Sequence, residues 1–191
     1  MIYDRERQHA EERYRAIRQQ ARNTVQSELQ EISGQDIRLT EITESALEAV
    51  DRWRLAPTAR AGWSWRREVL KFRRRPRRVE VAMWHTQTLC GLALGRISDK
   101  CVIATIHYIE SNPEGNPLAG AVVPYITRYL QVLAYGLGCK EVSIEQPVEA
   151  LVPYYSSMGF TKLVTKGKRV IRQKMNLDNV LSQQSDEDVL S

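Results

Sequence analysis

Residues 101–160 read CVIATIHYIESNPEGNPLAGAVVPYITRYLQVLAYGLGCKEVSIEQPVEALVPYYSSMGF. The run 101–109 is rich in Val, Ile, Thr and Tyr, the composition of a strand. A turn-forming segment follows, with Pro113, Gly115, Asn116, Pro117 and Gly120. Over 121–135 the apolar residues Val122, Ile126, Tyr129, Leu130, Leu133 and Ala134 recur at helical spacing. Gly136 and Gly138 stop that helix, and 141–145 is a second short strand. A strand–loop–helix–strand unit of this kind predicts a parallel pair joined by a right-handed crossover. It also directs the positive end of the helix dipole at its own loop, a placement suited to phosphate.

A short helix over 148–158 comes next and closes on Tyr154-Tyr155-Ser156-Ser157-Met158-Gly159-Phe160. Here the chain resembles the Gcn5-related N-acetyltransferase superfamily, in which a strand, a glycine-containing pyrophosphate loop, a helix and a strand precede a helix ending aromatic-Tyr-x-x-hydrophobic-Gly-Phe. The family loop carries Arg or Gln, two residues, Gly, one residue, then Gly or Ala. With Gly120 in the last place, Leu118 stands where the middle Gly belongs and Gly115 where the Arg or Gln belongs. The resemblance covers roughly residues 35 to 175 in element order. It implies an α+β fold with a mixed sheet, here extended by an added N-terminal helix.

The flanking sequence agrees in order. The segment 36–42 alternates as a first strand, and Thr43 is placed to cap a helix that continues through Ala46, Leu47, Val50 and Trp53 toward Pro57. A second helix spans 62–75 and stops at Pro76. Strands over 78–87 and 88–97 form a hairpin leading into the 101–109 strand, and 161–165 with 168–175 form a closing hairpin. The expected sheet is mixed and mostly antiparallel, with six or seven strands and one parallel pair, 101–109 beside 141–145.

Residues 1–33 form a charged, helix-favouring arm without proline. Its apolar positions, including Tyr14, Ile17, Ala21, Val25, Leu29 and Ile32, step by three or four. Because the family domain, 34–177, is complete without it, the arm is expected to pair with a second copy of the chain. The alternative is a helix folded back on its own body. The tail 178–191 carries four acids and no base and is expected to be disordered.

The net charge is +5, unevenly spread: residues 52–78 hold eleven Arg or Lys against one acid, Glu68. No apolar run approaches the roughly 20 residues of a membrane helix, so a soluble, cytoplasmic protein without membrane contact is expected. Cys90, Cys101 and Cys139 show no ligand spacing, nor do His9, His85 and His107, so no metal is expected.

The resemblance implies a coenzyme A thioester, acetyl-coenzyme A first, as acyl donor, lying in a splay between the 101–109 and 141–145 strands. Backbone groups of Ile109, Glu110 and Ser111 would pair with the pantetheine arm. The loop amides of Gly115, Asn116, Leu118, Ala119, Gly120 and Ala121 would face the pyrophosphate. Tyr155 matches the family tyrosine near the thioester sulfur, with Tyr154 beside it as the other candidate. For the base that deprotonates an unidentified amine acceptor, Glu110 comes first, then His107, then Glu145. Strict alternation places His107 with Ile109 on one strand face and Tyr108 with Glu110 on the other. Trp63 and Trp65 are candidates for the acceptor groove. The expected function is N-acyl transfer. The competing reading is an inactive module of the same fold that binds a partner through the arm and the basic helices. A third reading gives the band 66–78, with its interleaved aromatics, to nucleic acid.

Overall fold

The computed structural model describes residues 2–58 and 62–178. In chain order the elements are α1 (Ile2–Ser33), β1 (Ile37–Thr40), α2 (Glu44–Trp53), α3 (Trp65–Arg73), β2 (Arg78–His85), β3 (Thr88–Ile97) and β4 (Ile103–Ser111). They continue with α4 (Val122–Gly136), β5 (Glu141–Glu145), α5 (Val152–Ser157, entered through a single 3-10 turn), β6 (Lys162–Lys166) and β7 (Arg169–Asn176). One seven-stranded sheet runs β1-β2-β3-β4-β5-β7-β6. Every pairing is antiparallel except β4 with β5, as the crossover through α4 requires. The expected fold class and the single parallel pair are both present. From Asn179 onward the expected acidic tail lies outside the described residues.

Strands β2 and β3 are buried on both faces because helices cover each side of the sheet. On one face Val79, Val81, Met83 and Ala93 pack with α4, α5 and α1. On the other, Ala82, Trp84, Leu92 and Leu94 pack under α2 and α3. Helix α2 starts at Thr43, whose hydroxyl accepts from the Ala46 amide, so the cap read from the sequence is made.

The N-terminal helix departs from expectation. Val25 is 0% exposed, and with Ala21 and Leu29 it belongs to the same core as Ile126, Leu130 and Leu133 of α4 and Ile37 and Leu39 of β1. Polar groups lock the contact. Gln26 accepts from the Leu39 amide, Gln30 donates to the Ile37 carbonyl, and Arg128 pairs with Glu28 at 2.8 and 3.0 Å. Residues 1–33 are therefore not a unit separate from 34–177, and the stripe a second copy would need is already covered. Ile32, the last of the expected stripe, stands 82% exposed. Width explains the docking. Strands spaced about 4.8 Å apart spread a seven-stranded sheet over roughly 29 Å. A helix about 10 Å across covers only some two strands, so α4 alone leaves the β1–β2 end bare.

Further along α1 the contact turns ionic. Arg18 donates to Glu11 (2.8 Å) and the Pro76 carbonyl (2.7 Å), while Arg78 donates to Glu11 (2.8 Å) and Glu80 (2.6 Å). Arg18, Arg78 and Glu80 are all buried, so each charge relies on its partners. Removing residues 1–32 is expected to abolish the cooperative unfolding transition of the remaining chain. Leu29→Ala is expected to lower stability by about 2–5 kcal/mol. Urea melts followed by circular dichroism test both, and an unchanged midpoint after truncation would place α1 outside the core.

Candidate active site

Strand β4 is irregular at one residue. Leu94 pairs with Tyr108 and Gly95 with Ile106, which leaves His107 without a partner on β3: a β-bulge. The two strands meet so closely there that a Cβ on Gly95 would lie 1.9 Å from the Thr105 carbonyl oxygen. On the opposite edge the pairing to β5 runs from Ile103–Glu141 to Ile106–Ile144 and stops, although β4 continues to Ser111. The β4 edge therefore lies open toward β5 from His107 onward, including Ile109, Glu110 and Ser111.

The bulge also overturns strict alternation. The His107 ring lies 5.7 Å from Phe72 of α3 and the Tyr108 ring 6.3 Å from it, so both residues face the α2/α3 side. Glu110 faces that side too and accepts a 2.5 Å hydrogen bond from Trp65 Nε1, while Ile109 packs toward the α4 core. His107 thus joins Tyr108 and Glu110 rather than Ile109. The sequence carries a faint sign of this in Gly95, the one residue type that permits so close an approach.

A cavity of about 450 Å³ opens on the α2/α3 face where β4 and β5 part, lined by Trp63, Phe72, Arg75, Arg96, His107, Tyr108, Glu145 and Gln146. Trp63 lines it, whereas Trp65, the first residue of α3, is buried in the core. Burial pushes the His107 imidazole below its ordinary value, Arg96 adds to this, Glu145 opposes it, and Arg172 and Arg75 reinforce it. His107 is accordingly neutral near pH 7. Burial pushes the Glu110 carboxyl up, against the opposing Trp65 hydrogen bond and the Arg54 charge. Glu145 is held by Arg172 at 2.6 Å.

On the α4 face the loop 112–121 is held by Asn116. Its Nδ2 donates to the Cys90 carbonyl (3.0 Å) and Ser111 Oγ (2.9 Å), and its Oδ1 accepts from the Leu118 amide (2.9 Å). Ala119 donates to the Asn116 carbonyl and Ala121 to that of Leu118. Three of the six amides expected to face an anion, those of Leu118, Ala119 and Ala121, are thus engaged within the loop, the first two by Asn116 and the third by the Leu118 carbonyl. The Leu118 side chain is 3% exposed and turned into the core. Gly115, Asn116 and Gly120 keep amides without a protein acceptor among the described residues, as do Val122 and Val123 in the first turn of α4. Gly115 and Gly120 both have positive φ, and nothing lies within 4 Å of where their Cβ atoms would be.

Tyr155 of α5 is 4% exposed, packed edge-on to Phe160 with ring centroids 6.4 Å apart. Burial, and then its neighbour Tyr154, push its hydroxyl above the ordinary tyrosine value, so it stays protonated. Gln173 of β7 fixes the helix by donating to the carbonyls of Val152 and Phe160.

Most of the basic band is neutralised at home. Arg66 pairs with Glu44 and Asp51, Arg67 and Lys71 with Glu68, Arg77 with Asp99, and Arg78 with Glu11 and Glu80. Arg73, Arg74 and Arg75 of the band are exposed and enter no ion pair among the described residues. Among the described residues no helix is long and apolar enough to cross a membrane.

No protein-family model matches the chain, and no curated protein does. Solved structures do. A spermidine N-acetyltransferase variant from Vibrio cholerae is similar with a TM-score of 0.58 at 15% identity, over 78% of this chain and 98% of that one. An N-acetyltransferase, PaiA, from Thermoplasma acidophilum in complex with coenzyme A gives 0.51 at 10% identity, over 73% and 98%. The ribosomal-protein-S18-alanine N-acetyltransferase from Escherichia coli gives 0.51 at 14%, over 74% and 94%. The fold is that of the Gcn5-related N-acetyltransferases.

Two measurements test the site. Gly95→Ala is expected to destabilise the protein by about 1–3 kcal/mol through backbone crowding at the bulge, read from chemical denaturation. The unfolded chain protonates His107 at about pH 6.5 and the folded chain only below that. The unfolded state therefore binds the extra proton in this window, and stability falls as pH drops through it. His107→Gln is expected to flatten that part of the stability–pH curve, and an unchanged slope would mean the imidazole is not held neutral.

Proposed function

We propose that the protein is an N-acyltransferase that moves an acetyl, or other acyl, group from coenzyme A to an amine. The observation that carries this reading is the parting of β4 from β5 after Ile106 and Ile144, with α4 starting at amides that have no protein acceptor and a cavity at the parting on the α2/α3 face. The amides of Gly120, Val122 and Val123 suit a pyrophosphate, since N–H groups at a helix start need no particular side chain. The vacant Cβ positions of Gly115 and Gly120 allow such a group to approach the backbone. The open edge of β4 from His107 to Ser111 supplies partners for an amide-bearing arm.

In this reading the donor enters from the α4/α5 face and the amine from the α2/α3 face. His107, neutral and at the first unpaired position of β4, takes the proton from the attacking nitrogen. Tyr155, kept protonated, gives a proton to the sulfur as the carbon–sulfur bond breaks. Glu110 remains the alternative base, but its carboxylate already accepts from Trp65, and Glu145 is held by Arg172. A cytoplasmic location fits a coenzyme A donor. The second reading, a module of this fold without chemistry, draws on the three loop amides that Asn116 and the Leu118 carbonyl already engage.

Calorimetry with acetyl-coenzyme A separates the two, with saturable binding expected. Asn116→Ala is expected to weaken binding by about tenfold by releasing the loop, since a polar contact of this kind is worth roughly 1–3 kcal/mol. Tyr155→Phe and His107→Gln should each lower turnover about 10²–10⁴-fold with little effect on coenzyme affinity. Full turnover in Tyr155→Phe would make that residue core only, and full turnover in His107→Gln with loss in Glu110→Gln would transfer the base to Glu110.

A further inference from the structure

Two guanidinium groups at the cavity have no anionic partner. Arg75 and Arg96 both line it and enter no ion pair among the described residues, while the other lining charge, Glu145, is neutralised by Arg172. Arg75 lies over the Phe72 ring at 5.6 Å, which holds its guanidinium at the cavity wall. A second cavity of about 520 Å³ adjoins it, since Arg75 and Arg96 line both, and adds Arg74, Arg77 and Arg172 against Asp99. Arg96, Arg172 and Arg75 all act on His107 electrostatically, so the positive groups converge on the one imidazole of the cavity. The indole N–H of Trp63, which lines the same wall, is buried without an acceptor. Two solvent-accessible cations without a carboxylate partner, beside an idle indole N–H, offer an anion both charge and a hydrogen-bond donor.

We infer that the acceptor is a small amine carrying its own anionic group, a carboxylate or a phosphate, held by Arg75 and Arg96 while its nitrogen reaches His107. The assignment of the nitrogen rests on the acyltransferase reading; that of the anion rests on the cavity alone. The same charges serve the chemistry. An ammonium beside two guanidiniums loses its proton more readily, and a neutral His107 is free to take it. A polyamine would meet like charge on entering, so the preference is opposite to that of a site built for cations. The volume, about 450 Å³, suits a compound of amino-acid or amino-phosphate size.

Matched probes isolate the anion: O-phosphoethanolamine against ethanolamine for phosphate, 4-aminobutyrate against butylamine for carboxylate, with spermidine as the cationic case. Calorimetry on the full chain, with and without coenzyme A, is expected to give binding of at least one anionic probe at least tenfold tighter than its uncharged-tail counterpart. Arg75→Ala/Arg96→Ala is expected to abolish that difference and leave coenzyme affinity unchanged. Both arginines are exposed, so the variant is expected to fold, and its unfolding midpoint checks this. With acetyl-coenzyme A, kcat/KM should favour the same anionic probe at least tenfold, and the double variant should lose this through KM. Equal or weaker binding of both anionic probes, tighter binding of spermidine, or an unaltered preference in the double variant would each overturn the inference. If acetyl-coenzyme A does not bind, the acyltransferase reading fails separately, and the calorimetry with the anionic probes still decides the site.

Discussion

The parting of β4 from β5 after Ile106 and Ile144 is the constraint on which the rest of the structure depends. Parallel strands joined through a crossover helix ordinarily continue side by side, and separating them forfeits hydrogen bonds that the open edge must otherwise find in water or a ligand. Here the bulge at His107 adds a residue to β4 against β3, and Gly95 permits it because no side chain obstructs the Thr105 carbonyl. Beyond that point β4 remains fastened to β3 alone. The cavity lined by His107, Tyr108, Glu145 and Gln146 opens on the α2/α3 face at this parting.

Holding such a gap open requires rigid flanks. Gln173 pins α5 to β7, and Asn116 fastens the loop before α4 to Cys90 near the start of β3. Helix α1 backs α4 and closes the core over β1 and β2, and its buried Arg18 donates to Glu11 and to the Pro76 carbonyl just beyond α3. The helix that the family pattern treats as optional is therefore tied to the segment carrying Arg74 and Arg75. Its loss would disturb the cavity wall as well as the core.

Charge is sorted by position. Arg66 and Arg67 of α3 find carboxylates on α2 or on α3 itself, and Arg78 of β2 is matched by Glu11 and Glu80. Surface pairs of this kind add little stability, but they remove charge from the outer face. Arg75 and Arg96 are left to face the cavity. A net charge of +5 says nothing about this division.

The sequence by itself determined the order and type of the elements, because local patterns encode them. The helical spacing from Val122 to Ala134, the glycines closing α4, Thr43 at the start of α2, and the Tyr155-to-Phe160 ending all stand where they were read. It also supplied His107 and Glu110 as candidates from their places near a strand end, and Tyr155 through the resemblance of the Tyr154-to-Phe160 ending to the family pattern. Tertiary structure alone decided the rest. Which face His107 takes depends on a bulge, a register difference between two strands that neither strand's own alternation records. Whether α1 reaches outward or folds back depends on how much sheet α4 leaves uncovered. Which arginines remain unpaired depends on acids up to 67 residues away, as between Arg78 and Glu11. Each is a long-range pairing, and composition and periodicity carry only the local half of such a contact.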